Sequence, residues 1–210
     1  FPSTMMLGST TGKPLFYDAK SQTLFTREET LHMGPEAAPS DYPINVTPGP
    51  DILVNPNIDK GAQILPNVEF DGSGNFVITW TDDEGADGSG EGVYAREFNF
   101  DSTPANNEFQ INKVTKGDQG TSTVHVNSDG DYSIIWRDAN ETDGDQFGVY
   151  MRQFVKGGTP KADDVLVPQT TSGRQMAPSV SGDPGGKIIA GWSGPDDGAG
   201  RGTWVRLFDA

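Results

Sequence analysis

Residues 61–98 read GAQILPNVEF, DGSGNFVITW, TDDEGADGSG, EGVYAREF. Short apolar runs alternate with Asp/Gly turns. Phe76, Ile78 and Trp80 share one face of an extended run, and Tyr94, Arg96 and Phe98 share one face of another. That period of two marks half-buried strands. The stretch predicts a strand at 67–70, a turn at Asp71-Gly72-Ser73-Gly74 and a strand at 75–81. An acidic loop at 82–92, a strand at 93–100 and a last short strand at 108–112 follow. No segment of the chain shows convincing helical periodicity.

The same pattern returns after 56 residues, and again after a further 56. Trp80, Trp136 and Trp192 keep this spacing. So do Gly61, Gly117 and Gly173, then Gln63, Gln119 and Gln175, then Val68, Val124 and Val180, and the turn glycines Gly74, Gly130 and Gly186. Tyr94-Ala95-Arg96-Glu97-Phe98 matches Tyr150-Met151-Arg152-Gln153-Phe154. The third copy, Trp204-Val205-Arg206-Leu207-Phe208, comes two residues early. A period of this length with four short strands per copy reads as an all-β fold of three tandem four-stranded antiparallel repeats, β-propeller-like, open or closed by oligomerisation. The repeats span about 61–116, 117–172 and 173–210. A stacked β-solenoid or a set of small sandwiches is the other architecture that fits.

The composition now makes sense. Only 33% of the 210 residues are hydrophobic, and there are 27 Gly and 15 Pro, a balance that borders on disorder. The repeat turns it into many tight turns between aromatic-studded strands. With 15 Lys+Arg against 30 Asp+Glu the formal charge is −15, which argues against nucleic acid as a partner. The absence of Cys excludes a disulfide framework, a thiol nucleophile and a Cys-ligated zinc site. No apolar run is long enough for a transmembrane helix. Phe1 in place of Met points to a processed or trimmed chain.

The Gly-x-Gln start, the Asp/Gly turn, the strand ending in Trp and the Tyr-x-Arg-x-Phe strand resemble the tandem repeats of large secreted bacterial surface proteins. More loosely, they are similar to the Asp-box turns of sialidase-type propellers. The resemblance covers about residues 51–210 and departs at Asn127-Ser128-Asp129 and at Asp183-Pro184-Gly185. It implies an extracellular, bacterial, propeller-like architecture and little about a specific activity.

The copies are out of phase with the chain. Asp51–Asn55 resembles the last strands Glu108–Asn112 and Asp164–Val167, yet it precedes the first full copy, and the third copy stops after its Tyr-x-Arg-type strand. Such a vacancy predicts a homo-oligomer, a ring or a strand-sharing filament. Residues 1–50 do not repeat and hold seven of the 15 prolines. They read as an extended N-terminal arm, with a hairpin at Leu15–Phe25 that turns at Asp18–Ser21.

Three residue sets can carry chemistry. The repeated Trp residues suit sugar stacking, but repetition favours a core ladder. Arg96, Arg152 and Arg206 suit an anion site, but each sits between same-face aromatics, where cation–π contact and a neighbouring carboxylate would hold the scaffold. The acidic loops place Asp82, Asp83 and Asp87 in one copy and Asp138, Asp143 and Asp145 in the next, oxygen-rich loops of the kind that bind Ca²⁺. No other cofactor is expected. His32 and His125 have no Ser or Cys motif beside them, so no catalytic residue is assigned and the chain is read as not an enzyme. The reading that follows is a non-catalytic secreted or cell-surface structural and interaction protein that self-assembles, with a glycan or a surface protein as partner. The alternative is a carbohydrate-binding propeller lectin module, and behind it a fragment of a glycan-active hydrolase.

Overall fold

The computed structural model describes residues 49–58, 60–196 and 200–209, and before them the backbone of four strands. The chain divides into two compact units, Phe1–Asp51 and Ile52–Ala210. In the first unit, β1 (Thr4–Thr10), β2 (Lys13–Asp18), β3 (Thr23–Phe25) and β4 (Thr30–His32) form one antiparallel sheet in chain order. β2 pairs with β3, Tyr17 opposite Leu24; residues 19–22, which hold most of the turn expected at Asp18–Ser21, lie outside the described residues.

The second unit is all-β, with no helix among its described residues. Its first sheet has the order β5 (Gln63–Phe70), β6 (Phe76–Asp82), β7 (Gly92–Phe98), β8 (Phe109–Gln110). Its second holds β9 (Gln119–Val126), β10 (Tyr132–Asp138), β11 (Gly148–Val155), β12 (Thr159–Pro160) and β13 (Val165–Leu166), the last two both pairing with β11. The third holds β14 (Met176–Gly182), β15 (Ile188–Asp196) and β16 (Arg201–Phe208). Every pairing is antiparallel. The strand counts are thus four, five and three, not four in each. The last strand of the second copy is broken in two by residues 161–164. The third copy ends on β16, with no later strand among the described residues. No sheet in the described residues closes on itself.

The 56-residue period is a period in register. Trp80 lies opposite Tyr94, Trp136 opposite Tyr150 and Trp192 opposite Trp204. The first two pairs stack, with centroids 6.3 and 6.4 Å apart. Successive sheets pack face to face. Val77, Val93, Ala95 and Ile111 of the first meet Val124, Tyr132, Ile134 and Trp136 of the second in one apolar cluster. Ile135, Val149, Met151 and Val167, from the second sheet and the segment that follows β13, meet Ile188, Ala190 and Trp192 of the third in another. Trp80, Trp136 and Trp192 are 3%, 1% and 7% exposed; Trp136 and Trp192 belong to the two inter-sheet clusters, and Trp80 faces Ile52, Leu53 and Val54 instead.

The other repeated residues build the joints. Gln63, Gln119 and Gln175 each donate an Nε2 hydrogen bond to the carbonyl three residues back, on Lys60, Lys116 and Ser172. This pins the loop that enters each first strand. The glycines at 61, 117 and 173 have φ of 67°, 77° and 74°, which only glycine adopts cheaply. Four residues on, Leu65, Thr121 and Ala177 have φ of 54°, 56° and 50°. They sit where the pairing of the first strand with the second slips register, as left-handed residues of a β-bulge.

The arginines clamp one copy to the one before. Arg96, Arg152 and Arg206 donate through Nη1 to the carbonyls of Val54, Ile111 and Val167, at 2.8, 2.8 and 2.9 Å. Each guanidinium also lies over the ring two residues on: Phe98, Phe154 or Phe208. Arg96 and Arg152 add a carboxylate of their own last strand, Glu108 and Asp164, each at 3.7 Å.

Candidate functional site

Where the β9–β10 and β14–β15 turns approach each other, a cleft of about 110 Å³ opens between the second and third sheets. Its lining comes from His125, Asn127, Asp131, Tyr132, Ser133, Gln153 and Lys161, with Gly186 and Ile188 from the third sheet. The β9–β10 turn is held by Asn127, whose side-chain oxygen accepts from the backbone N–H groups of Asp129 and Asp131. That fixes Asp131 at the rim. The Lys161 ammonium lies 2.7 Å from its Oδ2, and the Lys156 N–H donates to its Oδ1. The Lys161 bond, ahead of the opposing effect of burial, holds the Asp131 carboxyl below the usual carboxylate range.

Deeper in, Gln153 Nε2 donates a long 3.3 Å bond to Ser133 Oγ. His125 Nδ1 lies 3.9 Å from Glu69 Oε1, while its Nε2 is buried with no hydrogen-bond partner. A side chain at Gly182 would strike that imidazole, so glycine here makes room for the ring. The cleft therefore offers a hydroxyl, a carboxamide and an ion pair around a small volume. Such a set exchanges hydrogen bonds with a polyhydroxylated ligand. One carboxylate lines the cleft among the described residues, and it is ionised.

Most of the cleft was invisible in the repeat because its residues do not repeat. Ser133 stands where the other copies have Val77 and Ile189; Gln153 stands where they have Glu97 and Leu207. The available signal was the departure itself: polar residues in one copy at positions apolar or charged elsewhere.

The acidic loops lie in equivalent places of two copies, Asp82 matching Asp138 and Asp87 matching Asp143, and each carboxylate has donors of its own. Asp82 accepts from the Ala86 N–H and from Gln63 Nε2, and Asp83 from the Ala62 N–H. Asp87 accepts from the Ser89 N–H. Asp138 accepts from the Asn140 N–H and the Thr142 hydroxyl, Asp143 from the Asp145 N–H, and Asp145 from the Gly173 N–H. No three metal-ligating side chains gather among the described residues. Asp143 Oδ2 is buried without a partner. The matching oxygen of Asp87 lies 3.4 and 3.3 Å from the amides of Gln110 and Asn112, which Leu166 and Pro168 replace in the second copy. Residues 197–199 of the third acidic loop lie outside the described residues.

No protein-family model matches the chain, and no curated protein matches it. Among the solved structures similar to it are two endo-arabinan-cleaving enzymes by name. One is an endo-arabinase from Bacteroides thetaiotaomicron VPI-5482, at 14% identity and a TM-score of 0.47, over 97% of this chain and 69% of that one. The other is a GH43 endo-arabinanase from Bacillus licheniformis, at 12% identity and a TM-score of 0.43, over 70% of this chain and 54% of that one. Both names are those of glycan-acting enzymes. This corrects the expectation of a non-catalytic, self-assembling structural protein, and with it the reading of the chain as not an enzyme. Among the described residues no helix is long and apolar enough to cross a membrane.

Proposed function

We propose that residues 52–210 form a propeller-like stack of β-sheet blades that recognises a glycan in the cleft between the second and third sheets. The observation that carries the reading is the polar lining of that cleft, above all Ser133 and Gln153, joined by one long hydrogen bond, beside the Asp131–Lys161 ion pair. A sugar hydroxyl both donates and accepts, so it can bond the Ser133 hydroxyl and the Gln153 carboxamide together. The blade reading is supported by three sheets of one register stacked face to face. Titration of the purified chain with a glycan panel that includes linear arabinan tests it. Saturable binding to one glycan, weakened at least tenfold by Gln153→Ala, is the expected result. Absence of binding across the panel removes the proposal. Reducing-end release measured on the same samples reads whether the chain also cleaves the glycan.

Two further expectations belong to this proposal. A secreted or surface location suits a cysteine-free chain of charge −15 that recognises a polysaccharide. Calcium at the acidic loops is supported by the buried, unpaired Asp143 Oδ2. A thermal melt that neither chelator nor added Ca²⁺ shifts would remove it.

A further inference from the structure

We infer that a single calcium ion binds between the second and third copies, held by Asp143 Oδ2, Gln175 Oε1 and the backbone carbonyl of Thr170. The inference rests on the calcium expectation above and narrows it to one loop, with two ligands from outside that loop. The first copy shows the place. There Asn112 Nδ2 donates to Gln119 Oε1 at 3.0 Å and to the Val114 carbonyl at 2.9 Å, and lies 3.3 Å from Asp87 Oδ2. Three oxygens thus converge on one amide nitrogen. In the next copy the same positions hold Gln175, Thr170 and Asp143, but Pro168 stands in place of Asn112. Proline brings no donor to that point.

The backbone around the two places is the same. In the first, the Ile111 N–H donates to the Val93 carbonyl and the Gln119 N–H to the Glu91 carbonyl. In the second, the Val167 N–H donates to the Val149 carbonyl and the Gln175 N–H to the Phe147 carbonyl. The oxygens therefore keep their aim while their partner is gone. Asp143 Oδ2 and Gln175 Oε1 are both buried with no hydrogen-bond partner. Gln175 is 0% exposed, and its Nε2 is engaged by the Ser172 and Gly173 carbonyls, so its oxygen is the atom left facing the point. Gln63 and Gln119, its counterparts, accept from Trp80 Nε1 and from Asn112 Nδ2. Buried acceptors are rarely left in this condition, and two at one place call for a shared occupant. A set of oxygens carrying one negative charge suits a hard cation. The surroundings are negative as well: burial, then Asp143, Asp138 and Asp164, push the Tyr150 phenol up to about 12. Calcium accepts irregular oxygen sets and completes them with water, whereas magnesium demands a near-ideal octahedron. Asp143 is half-buried and Thr170 exposed, which gives the ion a way in.

Calorimetric titration of the full chain with Ca²⁺ reads the site. About one ion per chain is expected, bound about tenfold or more weakly after Asp143→Asn or Pro168→Asn. Asp87→Asn should leave the titration unchanged. Pro168→Asn restores the amide of the first copy, so without calcium it should melt no lower than the parent, which separates a filled site from a damaged fold. No calcium binding by the parent removes this inference together with the calcium expectation. Binding that survives Pro168→Asn removes this inference alone and returns the ion to the loop carboxylates. Equal weakening by Asp87→Asn and Asp143→Asn overturns it as well.

Discussion

The Tyr132 hydroxyl donates a 2.7 Å hydrogen bond to the Glu97 carboxylate, across the boundary between the second and first sheets. Both side chains are buried, and the Gly157 N–H donates to the same carboxylate. Tyr132→Phe removes one of few donors to a buried charge. A loss of about 1–3 kcal/mol in stability is expected, read as a lower urea midpoint with an unchanged slope.

Tyr132 is also barred from ionising, first by burial and then by Glu97. Burial, with Asp87 or Asp143 next in effect, pushes Tyr94 and Tyr150 up to about 12. Folding therefore favours the neutral phenols. Their contribution is complete below the ordinary tyrosine value near 10 and is lost as pH rises through the folded values. At about pH 11 the tyrosinate absorbance of the folded chain should lack these three residues and gain them on unfolding in urea. Full absorbance of all five tyrosines before unfolding would refute this.

The tryptophans should separate by repeat position. Trp136→Ala empties the ladder between the first two sheets and should cost about 3–5 kcal/mol. Trp204→Ala removes a ring that is 43% exposed and should cost less than about half of that. Paired denaturant melts of the two variants make the comparison.

Thr121 occupies a left-handed bulge position, a conformation that costs an L-residue about 1–2 kcal/mol. Glycine relieves that strain and gives back about 0.5–1 kcal/mol in chain entropy. Thr121→Gly should thus be neutral or mildly stabilising. Thr123→Gly, two residues along the same strand, should destabilise. A melting temperature that falls equally in both would show that the bulge is unstrained.

At the cleft rim, Asp131 titrates below its ordinary range because of Lys161. Its stabilising effect is present above the unfolded value near 3.9 and is lost as pH falls through the lower folded value. The stability gap between the parent and Asp131→Asn should narrow on acidification and vanish once the pH lies below the folded value. A gap independent of pH would mean that the carboxylate contributes by shape alone.

The strand pattern was legible because it repeats. Trp80, Trp136 and Trp192 mark one register, and the glycines at 61, 117 and 173 mark one turn, so periodicity alone located the sheets. The bulge was not legible. Leu65, Thr121 and Ala177 share a backbone angle and no side-chain chemistry, so nothing in their identities betrays it. The break of the second copy's last strand into β12 and β13 was hidden for a similar reason. The cleft was missed because His125 was judged alone, while its surroundings come from Ser133 and Gln153, which only pairing across strands brings near. The arginines were legible as scaffold from the aromatic residues around them. Their grip on Val54, Ile111 and Val167 was not, since it depends on a neighbouring copy.

The middle sheet alone has stacked neighbours on both of its faces in the described unit. Opening it exposes two apolar layers at once, whereas peeling either outer sheet exposes one. Amide exchange should then be graded: slowest along β10, faster toward β5 and fastest on β16. Such a stack loosens from its margins inward, and its rims can rearrange around a visitor while the centre stays fixed.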